Sequence, residues 1–352
     1  MKTVLILCGG RSDEHEISLI SAKGILDALD RKKFSPLLVG ISKKGVWHLL
    51  EEHSFYLGEF RADKIKLNEN FPSVTLAPFS NEKRQGSLLC HGKTHTFDVV
   101  FPILHGRFGE DGTLQGMLDM IGVPYVGSHC GSSWLCMDKI LTKTLCLKAG
   151  IPTAKFTWVS RLEDLSTVQN ELNSLKYPLF VKPPRQGSSV GVSKVTSPQD
   201  LTRAVETALK YDTKCLIEEG IQGREIECAV LGNHGSAKVA APGEIIPSKK
   251  IGWYSFEAKY LLADGAETKV PTDLDPQTTE AVKNFALKAF DCLECDGMAR
   301  VDLFLEEKTQ KIYLNEINTI PGFTPISMYP KMWQASGLSY SELISELLNL
   351  AK

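Results

Sequence analysis

The 352-residue sequence has no apolar run near the ~20 residues that a membrane-spanning helix requires. It has no excess of charge of one sign. The formal net charge of -2 gives no reason to expect a nucleic acid or another polyanion as partner. A secreted cysteine framework is also absent. Nine cysteines, an odd number without regular spacing, argue against a complete set of disulfides and fit a reducing compartment. Zinc motifs are missing: Cys292-Leu-Glu-Cys295 is a lone pair and Cys90-His91 with His95 is a loose cluster, whereas a structural zinc takes four ligands. Lys2 to Cys8 is apolar but too short for a signal core and runs straight into a polar Gly-Gly turn. It reads as a buried first strand, and the cytoplasm is the expected location. Two nucleotide signatures, G-x-G-x-x-G and G-x-x-x-x-G-K-[ST], do not occur. What remains is 43% apolar and 23% charged, the balance of a soluble globular chain long enough for two or three domains.

The most informative stretch is 299–322. Ala-Arg-Val-Asp-Leu-Phe-Leu is followed by a polar turn (Glu306 to Gln310) and by Lys-Ile-Tyr-Leu-Asn-Glu-Ile-Asn-Thr-Ile-Pro-Gly. Both arms alternate and are rich in β-branched or aromatic residues, which predicts a hairpin. Residues two apart on a strand share a face, so Arg300 goes with Asp302 and Glu316 with Asn318. Pairing the arms gathers Asp302, Glu316 and Asn318 into an oxygen-only cluster. Such a cluster, with few carboxylates, suits magnesium that also holds phosphate. Arg300 beside it suits charge developing on a transferred phosphoryl group or an oxyanion.

The chain opens with a predicted strand (Thr3 to Leu7), a helix (Glu14 to Leu29) and a second strand (Pro36 to Ile41), a βαβ unit of doubly wound type. Glu14 sits outside a strand's carboxyl end, where such sheets place ligands, although it could instead serve only the helix dipole. Residues 44–97 are polar, weakly patterned and carry no functional signal. Phe97 to Leu104 is a predicted strand leading into a Gly-rich loop, His105-Gly-Arg-Phe-Gly-Glu-Asp-Gly112, before a helix from Thr113 to Ile121. Ser132-Ser133 is expected to cap one helix running to about Ala149, with Asp138 and Lys139 on it. Strands are expected over Lys155–Val159, Pro178–Val181, Val192–Val195, Lys214–Glu218 and Glu225–Val230, and helices over Leu162–Leu175, Leu201–Leu209 and Thr278–Cys292. Further helices are expected from Pro325 and from Ser339.

Between two of these strands, Lys182 is followed by Pro-Pro-Arg-Gln-Gly187-Ser188-Ser189-Val-Gly191. Glycines and hydroxyls there let backbone N–H groups approach phosphate oxygens, as a hairpin lid over phosphates would. The edge Glu218-Glu219-Gly220-Ile221 could read an adenine, with Glu218 or Glu225 accepting ribose hydroxyls. Lys249 to Ala263 is a long polar, aromatic loop with Trp253, Tyr254, Glu257, Lys259 and Tyr260, of a kind that often serves as a lid.

Taken together these motifs resemble the D-alanine–D-alanine ligases of the ATP-grasp superfamily. The resemblance spans nearly the whole chain, through Gly9-Gly-Arg-Ser-Asp-Glu-His-Glu-Ile-Ser18, the 105–116 loop, Met137-Asp-Lys139, 181–191, Glu257-Ala-Lys-Tyr260, Ala299-Arg-Val-Asp302 and 315–324. It implies an α/β (α+β) chain: a Rossmann-like N-terminal domain over 1–127, then a two-part ATP-grasp fold of a central unit (128–217) and a C-terminal unit (218–352). It implies a dipeptide ligase of peptidoglycan precursor synthesis that uses ATP and two Mg2+ (or Mn2+), forming a D-alanyl phosphate that the amine of a second D-alanine attacks. D-alanine is the implied partner, with neither nucleic acid nor membrane span, and a homodimer is expected.

Carried over by position, Glu14 would hold the first ammonium, with Ser188 and Tyr260 hydrogen-bonding to it. Lys139, Lys182 and Lys259 would face phosphates, with the loop at Gly187 and Ser189. Glu218, Glu219, Gly220 and Ile221 would line the adenine, and Glu225 would take the ribose. Asp302, Glu316 and Asn318 would hold the metals. Arg300 and the Gly322 N–H would stabilise the oxyanion, Ser327 and the Met328 N–H would bind the second carboxylate, and His105 would lie near the reacting carboxylate. Glu219-Gly220 departs from the commoner Lys-plus-aromatic pair, which bears on packing beside adenine. Rival readings are a D-alanine–D-lactate ligase, which Tyr260 disfavours by resemblance, and a non-catalytic ATP-binding regulator, which should have lost ligands that are present here.

Overall fold

The computed structural model describes residues 1–247 and 266–352. Strand β1 (Lys2–Gly9) is buried from Val4 onward, as a parallel strand covered on both faces must be. It pairs in parallel with β2 (Phe34–Ile41), which follows helix α1 (His15–Ala28), and β2 pairs with β3 (Trp47–Leu50). The weakly patterned stretch folds as a short ladder, β4 (Tyr56–Leu57) with β5 (Lys66–Leu67), and as a small antiparallel sheet of β6 (Thr75–Leu76), β7 (Gly86–Cys90) and β8 (Lys93–Phe97). Then β9 (Val99–Pro102) returns to β1, giving the order β3-β2-β1-β9. The strand expected over Phe97 to Leu104 is therefore broken at Asp98. Its carboxylate accepts a hydrogen bond from the Thr3 N–H at 2.6 Å and holds the chain between two sheets.

Helices α2 (Thr113–Ile121), α3 (Cys130–Met137) and α4 (Lys139–Lys148) follow. The single helix expected after Ser132-Ser133 is two helices. The His129 ring, not a serine, accepts from the Gly131 and Ser132 N–H groups at the first start. The break comes at Asp138, whose extended backbone ends α3 and whose Oδ1 accepts from Ile140 and Leu141 to start α4.

A four-stranded antiparallel sheet comes next, in the order β10 (Phe156–Val159), β13 (Cys215–Glu219), β11 (Leu179–Lys182), β12 (Ser193–Val195). Helix α5 (Gln169–Ser174) and helix α6 (Leu201–Ala208) accompany it. Leu162–Leu175 is not one helix but a 3₁₀ turn (Leu162–Ser166) and then α5. This sheet has its own core around Leu179, Val181, Val205 and Ile217.

The third sheet runs β17 (Ala266–Lys269), β16 (Gly243–Pro247), β14 (Arg224–Leu231), β18 (Met298–Glu306), β19 (Lys311–Asn318), with β15 (Lys238–Val239) on β14. Helix α7 (Pro276–Cys292) buries Val282, Ala286 and Phe290 against one face. The last helices are α8 (Met328–Ala335), starting three residues beyond the expected Pro325, and α9 (Tyr340–Leu350). They do not close a separate unit. Tyr329, Leu343, Ile344 and Leu347 share one core with Leu19 and Ile25 of α1 and Val4 and Ile6 of β1.

Asp138 is fully buried, and its Oδ2 lies 2.6 Å from the Lys214 ammonium. Asp138→Asn should lose the ion pair while keeping the cap. Asp138→Ala should cost about 1 kcal/mol more by losing the cap as well. Urea unfolding of the two variants tests this; equal stabilities would remove Asp138 as the residue that splits the helix.

Candidate active site

The hairpin brings the expected residues together. Asp302 lies opposite Glu316, and Arg300 opposite Asn318. The register shifts between Asp302 and Leu303, so Asn315 is the extra residue of a bulge beside the acidic pair. Arg300 forks Asp302 through Nε and Nη2, both at 2.7 Å, and Asn318 Nδ2 donates to Asp302 Oδ2 at 3.0 Å. Lys139, from the first turn of α4, sits 2.9 Å from Glu316 and donates to the Gln186 carbonyl at 3.1 Å. Burial opposes the charge on Arg300, but Asp302 and Glu227 outweigh it and hold its pKa well above the ordinary value.

Two carboxylates and one amide on a hairpin face suit a hard divalent cation that takes its other ligands from phosphate and water. Among the described residues no group of three His, Cys, Asp or Glu side chains forms a fuller cage. By their donor chemistry, Asp302, Glu316 and Asn318 fit the group expected of them.

Strand β13 ends at the next cluster. Glu218 is buried with its Oε1 2.5 Å from the Lys182 ammonium and its Oε2 2.8 Å from that of Lys143. Burial alone would raise the Glu218 pKa; Lys143 and Lys182 outweigh it and hold it at about 2. The carboxylate is thus committed to two lysines, which leaves Glu225 as the expected ribose acceptor. Beyond it, Glu219 borders the cleft and its Oε1 accepts from the Lys176 N–H at 2.9 Å. A Cβ on Gly220 would lie 3.0 Å from the Phe180 ring, so the glycine makes room for an aromatic supplied by β11. The departure noted at Glu219-Gly220 has its packing partner in Phe180.

At the other end Ser188 donates to Glu14 Oε1 at 2.6 Å. Glu14 precedes α1 yet its carboxylate makes no capping hydrogen bond, so the helix-dipole role does not account for where it points. A Cβ on Gly106, whose φ is +73°, would come within 3.1 Å of Glu14 Oε2, and one on Gly187 within 3.2 Å. Ser188 and Ser189 both have positive φ, 51° and 60°, an arrangement that turns successive N–H groups to one side and persists where function requires it.

His105 is buried and bonded at both nitrogens. Nδ1 lies 3.1 Å from the Ile320 carbonyl, which can only accept, so that nitrogen carries the proton; Nε2 lies 3.2 Å from the Ser21 hydroxyl. Burial lowers its pKa against the pull of Glu14, which keeps the ring neutral. Glu110, in the same loop, is half-buried, and desolvation and the nearby Glu14 push its pKa up to about 8, which favours the protonated form.

Ser327 stands at the start of α8 but does not cap it. Its hydroxyl turns back to the Thr324 N–H at 3.0 Å and the Thr324 hydroxyl at 2.7 Å. Among the described residues no side chain caps α8, so its first N–H groups suit an anion, and Gly322 lies against the Ser327 side chain.

Most of these groups border one cleft of about 1390 Å³, larger than a single small-molecule pocket. It takes in Glu14, His105, Lys139, Lys182, the 218–221 edge, Glu225, Arg300, Asp302, Glu316, Asn318, Gly322, Ser327 and Met328, along with Gly187, Ser188 and Ser189. The expected lid residues Lys259 and Tyr260 lie outside the described residues. Residues missed from sequence also border it. Phe60 to Asp63 come from the stretch thought uninformative, and nothing in their local pattern signals a cleft. Glu110 was legible as an acid in a Gly-rich loop; Lys143, one helical turn after Lys139, lies buried behind Glu218 and does not border the cleft.

The Glu218 charge sets an acid limit. Its folded pKa lies below the ordinary 4.5, so its stabilisation is complete above 4.5 and is lost as pH falls toward about 2. Thermal unfolding of wild type and Glu218→Gln should show a gap that is constant above pH 5 and closes below it. A gap independent of pH would remove the buried ion pairs as its source.

Two family models match: "D-ala D-ala ligase N-terminus" over residues 3–128 and "D-ala D-ala ligase C-terminus" over residues 145–349. Among curated relatives, the D-alanine–D-alanine ligase of Proteus mirabilis is 46% identical over 99% of this chain and 94% of its own. D-alanine–D-alanine ligase A of Escherichia coli K12 is 45% identical over 98% of this chain and 94% of its own. Among solved structures, the VanG D-Ala:D-Ser ligase from Enterococcus faecalis superposes with a TM-score of 0.85 at 34% identity, covering 99% of both chains. The D-alanine–D-alanine ligase from Coxiella burnetii gives 0.83 at 37% identity, covering 99% of this chain and 93% of its own. A mixed α/β chain with this cleft and these matches belongs to the D-alanine–D-alanine ligase family.

Proposed function

We propose that this chain is an ATP-dependent ligase that joins two D-alanine molecules, releasing ADP and phosphate. The observation that carries the reading is the polarity of the cleft. One wall holds Lys139, Lys182, Arg300 and an oxygen cluster, suited to a nucleotide's phosphates. The other holds the Glu14 carboxylate on Ser188, suited to an ammonium, and the open start of α8, suited to a carboxylate.

A carboxylate is a poor electrophile, so its oxygen first attacks the γ-phosphorus of ATP, the bond to the β-phosphate oxygen breaks, and ADP leaves. The second amine, having lost its proton, then attacks the acyl carbon, and phosphate departs. Little covalent chemistry falls to the protein, which positions the reactants and compensates charge. Glu14 and Ser188 orient the first amino acid. Lys139 and Lys182 hold phosphate oxygens, and the edge 218–221 with Phe180 and Glu225 holds the nucleoside. Asp302, Glu316 and Asn318 would hold magnesium, which supplies charge neutralisation to the transferring phosphoryl group. Arg300 and the Gly322 N–H face the oxyanion, and Ser327 with the Met328 N–H receives the second carboxylate. His105, fixed neutral, packs beside the reacting carboxylate as a hydrogen-bonding spacer and not as a charge. Lys259 and Tyr260 enter this scheme by resemblance alone. The units 1–127, 128–217 and 218–352 describe the chain's division under this reading, with a homodimer as the assembly to be checked by light scattering.

The choice of second substrate is tested directly. Phosphate release with ATP and magnesium should require D-alanine, not L-alanine, and mass analysis should find the dipeptide when D-serine and D-lactate compete. Preferred incorporation of D-serine would move the chain to the chemistry named for its structural neighbour. Glu316→Gln should lower turnover by about a hundredfold or more while leaving the protein folded, since it removes charge where the phosphoryl group reacts. Turnover near wild type at limiting magnesium would remove Glu316 from the site. Phe180→Ala should raise the KM for ATP by about tenfold, the scale of one lost base–aromatic stack, with kcat within about twofold. An unchanged KM would place the adenine elsewhere.

A further inference from the structure

Lys143 has no part in that scheme, yet its side chain is among the most buried in the molecule, at 1% exposed. It lies one helical turn after Lys139, so α4 presents both ammonium groups on one face. Lys139 reaches Glu316, and Lys143 reaches Glu218. The Lys143 ammonium lies 2.8 Å from Glu218 Oε2, a contact of charge on charge. Lys182 holds the other oxygen of the same carboxylate. The cluster thus has two positive charges on one negative.

We propose that Lys143 is a positioning residue for nucleotide phosphates: by compensating Glu218 from behind, it leaves the Lys182 ammonium available to an incoming anion. The inference rests on Lys182 being a phosphate ligand. Without Lys143, Glu218 and Lys182 form a closed neutral pair, and an anion must compete with the carboxylate for the only ammonium between them. Stability gives little reason to retain such a lysine. Replacing a buried ionic group by an apolar one of similar volume is commonly neutral or stabilising, provided that no charge is left unpaired, and Glu218 would still have Lys182.

The test compares binding of adenosine with that of the β,γ-imido analogue of ATP at fixed magnesium, by calorimetry. Lys143→Met should keep the wild-type melting temperature and adenosine affinity but bind the triphosphate about tenfold more weakly, the scale of one charge-assisted contact. Lys143→Gln, which keeps a polar group without the charge, should show the same loss. Adding Glu218→Gln to Lys143→Met should restore triphosphate affinity, because Lys182 is again uncommitted. Loss of adenosine and triphosphate affinity together, or a double variant no better than the single, would mean that Lys143 only supports packing and would overturn the proposal. A wild type that shows no preference for triphosphate over adenosine would overturn the phosphate reading of Lys182 and the inference with it. A wild type that does, beside an equally selective Lys143→Met, would overturn the inference alone.

Discussion

Cationic groups kept out of water, yet available to phosphate, are the constraint on which this structure depends. Burying an ammonium or guanidinium costs several kcal/mol unless a counter-charge lies in contact. Lys139 therefore rests on Glu316, Lys182 and Lys143 on Glu218, and Arg300 on Asp302. The acids come from two different sheets and two of the lysines from one helix turn, so the charge pairs link α4, β13 and the β18–β19 hairpin. Two of these carboxylates, Asp302 and Glu316, balance the site before a ligand arrives and are those assigned to metal when it does. An incoming magnesium-bound triphosphate brings both signs of charge, and it can exchange partners with a network already made of them.

The opposite end of the cleft solves a different problem. Glu14 must face an open space while its neighbours come very near, and the two closest backbones, at Gly106 and Gly187, carry no side chain. Ser188 then supplies the hydrogen bond. The first and central sheets thus meet around one carboxylate, and the backbone strain at Ser188 and Ser189 is located where that meeting occurs.

Much of this was legible because period-2 alternation alone puts Arg300, Asp302, Glu316 and Asn318 on one face, and because a Gly-rich turn at a strand's end announces a site. The sheet partners and the break at Asp138 were harder to read. Asp138 looks like any polar residue within a helix until Lys214, 76 positions away, is seen to compete for its carboxylate. His129 gave no capping signal because histidine is not a usual cap. The turn at Phe60 borders the cleft through tertiary placement that leaves no periodic trace. Lys143 reads as solvent-facing by composition, and only the position of β13 buries it.

The shared core of the first sheet and the last helix bears on how the chain is made. Leu19 and Ile25 of α1 share a core with Leu343, Ile344 and Leu347, so the cover of that face is synthesised roughly three hundred residues after the face itself. At roughly 5–20 residues per second, that apolar face waits some tens of seconds on the ribosome before its cover emerges. The central sheet, with a core of its own, can complete during that interval. The N-terminal sheet lacks the cover of that face until the last two helices emerge.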